Sequence, residues 1–293
     1  MRSVAIAVAV SILVAGTAWR AAAAQDQPSL AFVVVARALQ PGEVVRLDIA
    51  CGCGGRRPSA QAFGAEVALF PMADGGGWSG LVGIDVGASP GVSEVRVSLD
   101  HPAGPVIATR QVKVLAKQFP TRRLRVAPTY VDPPPDDLAR IQRDAAVLGA
   151  AFATVSPRLW DGPFVVPVAD PANSNFGSRS IFNGQSRSPH GGVDFASPAG
   201  TPVAAAGGGR VAIAEDLFFT GNTVVIDHGL GLYSVLAHLS AMSVAQGDRV
   251  ERGSIVGRVG ATGRVTGAHL HWGVRLNGAR VDPMSLVAAV ELK

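Results

Sequence analysis

From Ser29 to Leu115 apolar and polar residues alternate in short runs, each set off by Pro or Gly. "LQPGEVVRLDIA" is a Pro-Gly turn followed by Val45, Leu47 and Ile49 on one face; "SPGVSEVRVSL" repeats the device with Val95, Val97 and Leu99, and "IATRQVKVL" follows. Successive side chains leave a strand on opposite faces, so alternation of period two marks half-buried strands. Residues 28–117 are expected to form an immunoglobulin-like β-sandwich. The pattern then breaks. "FPTRRLRVAPTYVDPPPDD" mixes prolines and arginines in the manner of a linker. After it, Leu138, Ile141, Ala145 and Leu148 recur at helical spacing, with Asp136 and Asp137 at the positive end of the helix dipole. Residues 118–160 thus read as a linker with one helix, the only one expected in the mature chain. Short strands return beyond it. "GNTVVIDHGLGLYSVLAHL" predicts a hairpin: strand Thr223 to Ile226, turn Asp227 to Gly231, strand Leu232 to His238. The expected fold class is mainly β, with a sandwich, a linking helix and a C-terminal antiparallel sheet over residues 161–293.

Composition adds three constraints. The 293 residues are enough for two domains with real cores, and 35 Gly and 20 Pro favour short strands and turns. At the start, Arg2, the apolar run Val4 to Ala18, and small residues with Ala22 and Ala24 at −3 and −1 predict a cleaved secretory leader, residues 1–24. The run is short for a membrane span and Arg20 follows it, and no later stretch is long enough to span. Export is therefore expected, with the periplasm favoured because no wall-sorting tail is visible. The formal charge of +4 loses two charges when Arg2 and Arg20 leave with the leader, and nothing resembles a nucleic-acid footprint. Cys51 and Cys53 are the two cysteines; a local disulfide or free thiols are expected ahead of a metal site, which would need further soft ligands. Oligomeric state is not legible.

Five of the six histidines fall between 190 and 271: His190, His228, His238, His269 and His271. In "GAHLHWGV", His269 and His271 share one face of a strand. In "SPHGGVDFASPAGTPV", His190 and Asp194 flank Gly191-Gly192. Fully extended, their Cα atoms would lie about 13 Å apart, so sharing one zinc requires the chain to curve at the glycines. An imidazole, a carboxylate and one further histidine from H-x-H make a three-ligand set that leaves zinc an open fourth position, the arrangement of a catalytic site.

These residues resemble the lysostaphin-type zinc endopeptidases that cut bacterial peptidoglycan. The resemblance covers about Pro163 to Leu286 and includes "FGSRSIFNGQSRSPHGGVDFASPAGTPV", "GNTVVIDHG", "YSVLAHLS", "GDRVERGSIVGRVGATGRVTGAHLHWGV" and "VDPMSL". It implies that His190, Asp194 and His271 bind zinc, and that His238 and His269 are the catalytic pair. Either imidazole could take a proton from water or hydrogen-bond the developing oxyanion. The implied substrate is the peptide stems or cross-links of peptidoglycan. The N-terminal half is similar to the β-domain that precedes the peptidase in some exported members. Its role, wall targeting or coverage of the groove, is open. His228 is expected to be structural in a "DHG" turn and His101 to be an exposed loop residue. Asn173, Asn175, Phe176 and Arg179 are expected to border the groove. Few large aromatics, Phe176, Phe182, Tyr233 and Trp272, lie near the motifs, which favours a shallow polar groove. Two other functions compete: a catalytically silent activator of other wall hydrolases, and a zinc peptidase acting on proteins.

Overall fold

The computed structural model describes residues 29–102, 104–125, 133–173 and 175–291; the expected leader lies outside them. The N-terminal unit comprises β1 (Leu30–Ala36), β2 (Val44–Cys51), β3 (Ser59–Ala62), β4 (Ala65–Glu66), β5 (Leu69–Pro71), β6 (Trp78–Gly83), β7 (Gly91–Leu99) and β8 (Val106–Val114). They form two antiparallel sheets, ordered β1-β2-β6-β5 and β4-β3-β7-β8. The alternation read from the sequence sets the interior: Val45, Leu47 and Ile49 of β2 meet Val95 and Val97 of β7, all fully buried. Cys51 and Cys53 are joined as a disulfide.

The segment after it is more structured than a linker. Strand β9 (Thr121–Leu124) pairs in parallel with β10 (Arg179–Phe182), and β11 (Gln185–Ser186) folds back on β10. Helix α1 (Pro135–Phe152) begins with proline, whose missing N–H costs nothing in a first turn, and carries Asp136 and Asp137 there. Its buried face differs from the expected one. Leu138 is exposed, whereas Asp144 is buried because its Oδ2 accepts the Phe218 N–H at 2.7 Å. Val147, Leu148, Ala151 and Phe152 pack on Ile213, Val225 and Tyr233.

The C-terminal unit adds β12 (Gly192–Phe195), β13 (Pro202–Ala204), β14 (Gly209–Leu217), β15 (Gly221–Gly229), β16 (Leu232–Met242), β17 (Arg249–Val250), β18 (Ile255–Val259), β19 (Leu270–Leu276) and β20 (Ala279–Val281). The main path of its sheet is β12-β19-β16-β15-β14-β17, with β18 between β13 and β16 and β20 on β19. The predicted hairpin is present but tighter: β15 runs through Asp227 to Gly229, and Leu230 and Gly231 turn the chain with φ of 55° and 75°. Two consecutive positive φ values match the twist of flanking strands in a two-residue hairpin. A second helix, α2 (Pro283–Glu291), was not expected. Asp282 caps it, its Oδ1 accepting from Met284 N at 2.9 Å. Among the described residues no helix is long and apolar enough to cross a membrane.

The two units share interior. Val44, Leu81 and Val86 of the first belong to the same buried cluster as Val274, Val281 and Leu286 of the second. A charged lock lies beside it. Arg37 donates to both carboxylate oxygens of Glu43 (3.0 and 2.9 Å) and to Asp282 Oδ2 (2.7 Å), and Ser285 Oγ donates to Glu43 at 2.8 Å while accepting from Val44 N. Arg280 pairs with Asp85 at 3.0 Å.

Candidate metal centre

Three neighbouring strands build the site. Asp194 on β12 lies directly across from His271 on β19, and His271 lies across from Ala237 on β16, next to His238. On β19 the alternation sends Leu270 and Trp272 wholly into the core, which leaves His271 on the opposite face. Gly192 makes room for it. A Cβ there would fall 2.4 Å from Trp272 O and 2.8 Å from the His271 ring. The second glycine of the pair thus serves close approach inside a strand, beyond the bend the sequence reading required of the pair.

His190 Nε2, Asp194 Oδ1 and His271 Nδ1 converge. His190 Nε2 is 3.1 Å from His271 Nδ1 and 3.3 Å from Asp194 Oδ1, and His271 Nδ1 is 2.9 Å from Asp194 Oδ1. Two ligands on one tetrahedral zinc, each about 2.0–2.1 Å from it, stand about 3.3 Å apart. The donor set is also chemically suitable, with two nitrogens and one carboxylate oxygen, all half-buried. Burial alone would raise the Asp194 pKa, but hydrogen bonds from His190 and His271 outweigh it and hold the carboxylate well below its usual range. Burial lowers the His271 pKa, against the opposing pull of Asp194. An ionised carboxylate beside a neutral imidazole is what a divalent cation requires.

The remaining site histidines sit alongside. The rings of His238 and His269 are 4.8 Å apart, His238 is 6.1 Å from His271, and His269 Nε2 is 3.9 Å from Asp194 Oδ1. His238 holds φ of 65° within β16, and its N–H donates to Thr220 O at 2.8 Å. Its Nδ1–H donates to Thr262 O at 3.0 Å, and that of His269 to Gly267 O at 2.9 Å. A carbonyl can only accept, so both rings keep a bare Nε2 when neutral. Burial holds the His238 pKa at about 4.

Asn175 has a role that sequence reasoning did not separate from its neighbours. Its Nδ2 donates to Asp194 Oδ2 at 2.6 Å, and its Oδ1 accepts the Asp194 N–H at 3.2 Å. Arg179 is exposed on β10, whereas Phe176 is buried. Tyr233 and Trp272 are core residues with no groove surface. His228 lies within β15 and not in a turn; it is wholly buried, donates Nδ1–H to Gly208 O, and accepts from Ser234 Oγ, both at 2.8 Å. Ser234 in turn accepts the indole N–H of Trp272 at 3.3 Å, and burial holds His228 at about 4. His101 stays in the loop after β7 but is half-buried.

Residues 188–283 match the sequence profile of Peptidase family M23. A crystal structure from Pseudomonas aeruginosa, described as a peptidase M23, is 36% identical with a TM-score of 0.66, and the match covers 86% of this chain and 96% of that one. The DD-carboxypeptidase/endopeptidase Mpg of Neisseria meningitidis serogroup B is 46% identical over 97 residues, 33% of this chain and 22% of that protein. The peptidoglycan DD-endopeptidase ShyA of Vibrio cholerae is 42% identical over 113 residues, 38% of this chain and 26% of that protein. The chain thus spans about a quarter of the length of these curated relatives.

Proposed function

The chain belongs to peptidase family M23, and from that premise we propose that it is a zinc-dependent endopeptidase hydrolysing peptide stems or cross-links of bacterial peptidoglycan. The observation that carries the reading is the convergence of His190 Nε2, Asp194 Oδ1 and His271 Nδ1 within 3.3 Å of one another. The activities for which Mpg and ShyA are named support the substrate class. Residues 1–24 would direct export, and the periplasm is the proposed compartment. Residues 28–117 would form the immunoglobulin-like domain, 118–160 the connection and 161–293 the peptidase.

His190, Asp194 and His271 would hold the zinc. Zinc in such a site polarises a peptide carbonyl and makes nearby water acidic. His269 keeps 24% of its side chain in solvent, and its bare Nε2 takes the proton as the water attacks. That proton then passes to the leaving amine. His238 is buried with its Nδ1–H committed to Thr262 O. It has no second proton to give an oxyanion while neutral; its Nε2 instead accepts a hydrogen bond from the attacking water and aims it.

Mass spectrometry of muropeptides released from purified sacculi, with and without a chelator, tests the proposal. Release that stops on chelation and returns with zinc is expected. Zinc-loaded protein that releases nothing, yet stimulates a second wall hydrolase, would overturn it in favour of the activator reading.

A further inference from the structure

We propose that Asn175 positions the Asp194 carboxylate for the metal, and that the N-terminal unit and the segment after it hold Asn175 in place. This rests on the metal-site reading above. Asp194 has two oxygens and two tasks. Oδ1 faces His190 and His271, while Oδ2 is fixed by Asn175 Nδ2 at 2.6 Å. Asn175 Oδ1 also takes the Asp194 N–H, at 3.2 Å. A two-point grip of this kind fixes both the backbone and the rotation of the carboxylate, and partners of this sort around a ligand set its orientation and affinity.

The loop carrying Asn175 is not held by the catalytic sheet alone. Phe176, the next residue, packs edge-on against Phe119 with ring centres 6.2 Å apart. Each ring rests on a glycine with positive φ from the opposite side. A Cβ on Gly42, in the N-terminal unit, would fall 2.3 Å from Phe176, and one on Gly177 would fall 2.2 Å from Phe119. Lys117 Nζ lies over both rings, at 5.3 and 6.0 Å, and is itself anchored 3.4 Å from Glu43. Just beyond, Arg179 N donates to Pro120 O at 2.8 Å, the first contact of the β9–β10 pairing. The same loop reaches the first ligand: Gly177 N donates to His190 O and His190 N to Ser178 O, both at 2.9 Å. A continuous set of contacts therefore runs from Gly42 and Phe119 through Phe176 to Asn175, and from there to Asp194. The N-terminal unit, through Gly42 and Lys117, and the segment after it, through Phe119 and Pro120, together support the metal centre, a role distinct from either targeting or coverage.

The test is zinc affinity of the full-length protein, measured by competition with a chromogenic chelator, together with thermal melting. Asn175→Ala should weaken zinc binding by about 10- to 100-fold. Phe119→Ala should weaken it in the same direction by less. The Asn175→Ala/Phe119→Ala double variant should lose less than the two single losses added together, because Phe119 acts in part through Asn175. Val97→Ala, in the core of the N-terminal unit and away from this loop, should lower the melting temperature and leave zinc affinity unchanged. Phe119→Leu replaces Phe119→Ala if the latter does not fold. The inference is overturned by Asn175→Ala binding zinc like the wild type, by additive losses in the double variant, or by Val97→Ala losing as much affinity as Phe119→Ala. A wild-type protein that retains no zinc counts against the metal site itself, so the two failures are distinguishable.

Discussion

Replacing Arg37 with methionine removes the cation shared by Glu43 and Asp282. The side chains of these two acids are only 3% and 13% exposed, so water cannot take over the role. After the change Glu43 keeps Ser285 Oγ at 2.8 Å and Lys117 at 3.4 Å, and Asp282 loses its 2.7 Å contact outright. Removing one partner of a buried pair costs about 3–5 kcal/mol. Arg37 is 39% exposed, so partial solvation places the expected loss near about 3 kcal/mol, equivalent to about 6–12 °C in Tm for a chain of this size. The loss should depend on pH in a defined direction. Burial raises the Glu43 pKa, but its hydrogen bonds with Arg37 and Ser285 and the nearby charges bring it below 4.5. A depressed carboxylate contributes stability above its unfolded pKa and loses it as pH falls through the folded one. The gap between wild type and variant should therefore be widest at neutral pH and narrow below about pH 4.5. Denaturant melts at pH 7 and pH 4 measure both quantities, and adding Glu43→Gln and Asp282→Asn to the variant should recover most of the loss. A deficit under about 1 kcal/mol at pH 7, or one that does not shrink in acid, would refute the reasoning.

Two other outcomes are expected. His228 is held at about 4 against 6.5 in its ordinary state, so the unfolded chain binds the extra proton between those values. His228 should then contribute up to about 3 kcal/mol to a rise in stability from pH 4 to 6.5, beside a like contribution from His238, held equally low; His228→Gln should make that part of the curve shallower without flattening it, and an unchanged slope would contradict the assignment. At residue 238, where φ is 65°, His238→Gly should be about 1 kcal/mol more stable than His238→Ala. Both should retain zinc and lose about 10²-fold or more in turnover. Equal melting points, or activity in either variant, would argue against the strained backbone or the catalytic role respectively.

The strand faces were legible because one side of each strand is dry: Val45, Leu47 and Ile49 could be read from alternation alone. The convergence of His190, Asp194 and His271 was legible in part: H-x-H puts His269 and His271 on one strand face, and the glycines between His190 and Asp194 allow the chain to curve, whereas His271 was singled out only by the resemblance. What escaped depended on distant partners. Strand β9 reads as basic linker because its pairing energy comes from β10, far along the chain, and not from its own pattern. The buried stripe of α1 was misread because Asp144 turns inward to accept the Phe218 N–H. Helix α2 has an unbroken apolar run with no period to count, although the Asp282-Pro283 start was a visible signal. The shared core also left a trace. Val44 and Val45 are adjacent and both fully buried, so β2 is covered on both faces, which a lone sandwich would not require. Asn175 could not be singled out, since an asparagine before a glycine-rich turn is ordinary loop chemistry.

The direct pairing of Asp194 with His271 constrains how such a gene can change length. Deleting one codon within β12 would exchange the carboxylate for a neighbour on the sheet's reverse side. Insertions and deletions are thus channelled into the connecting loops, where new peptide preferences can arise while the ion-binding face is inherited intact.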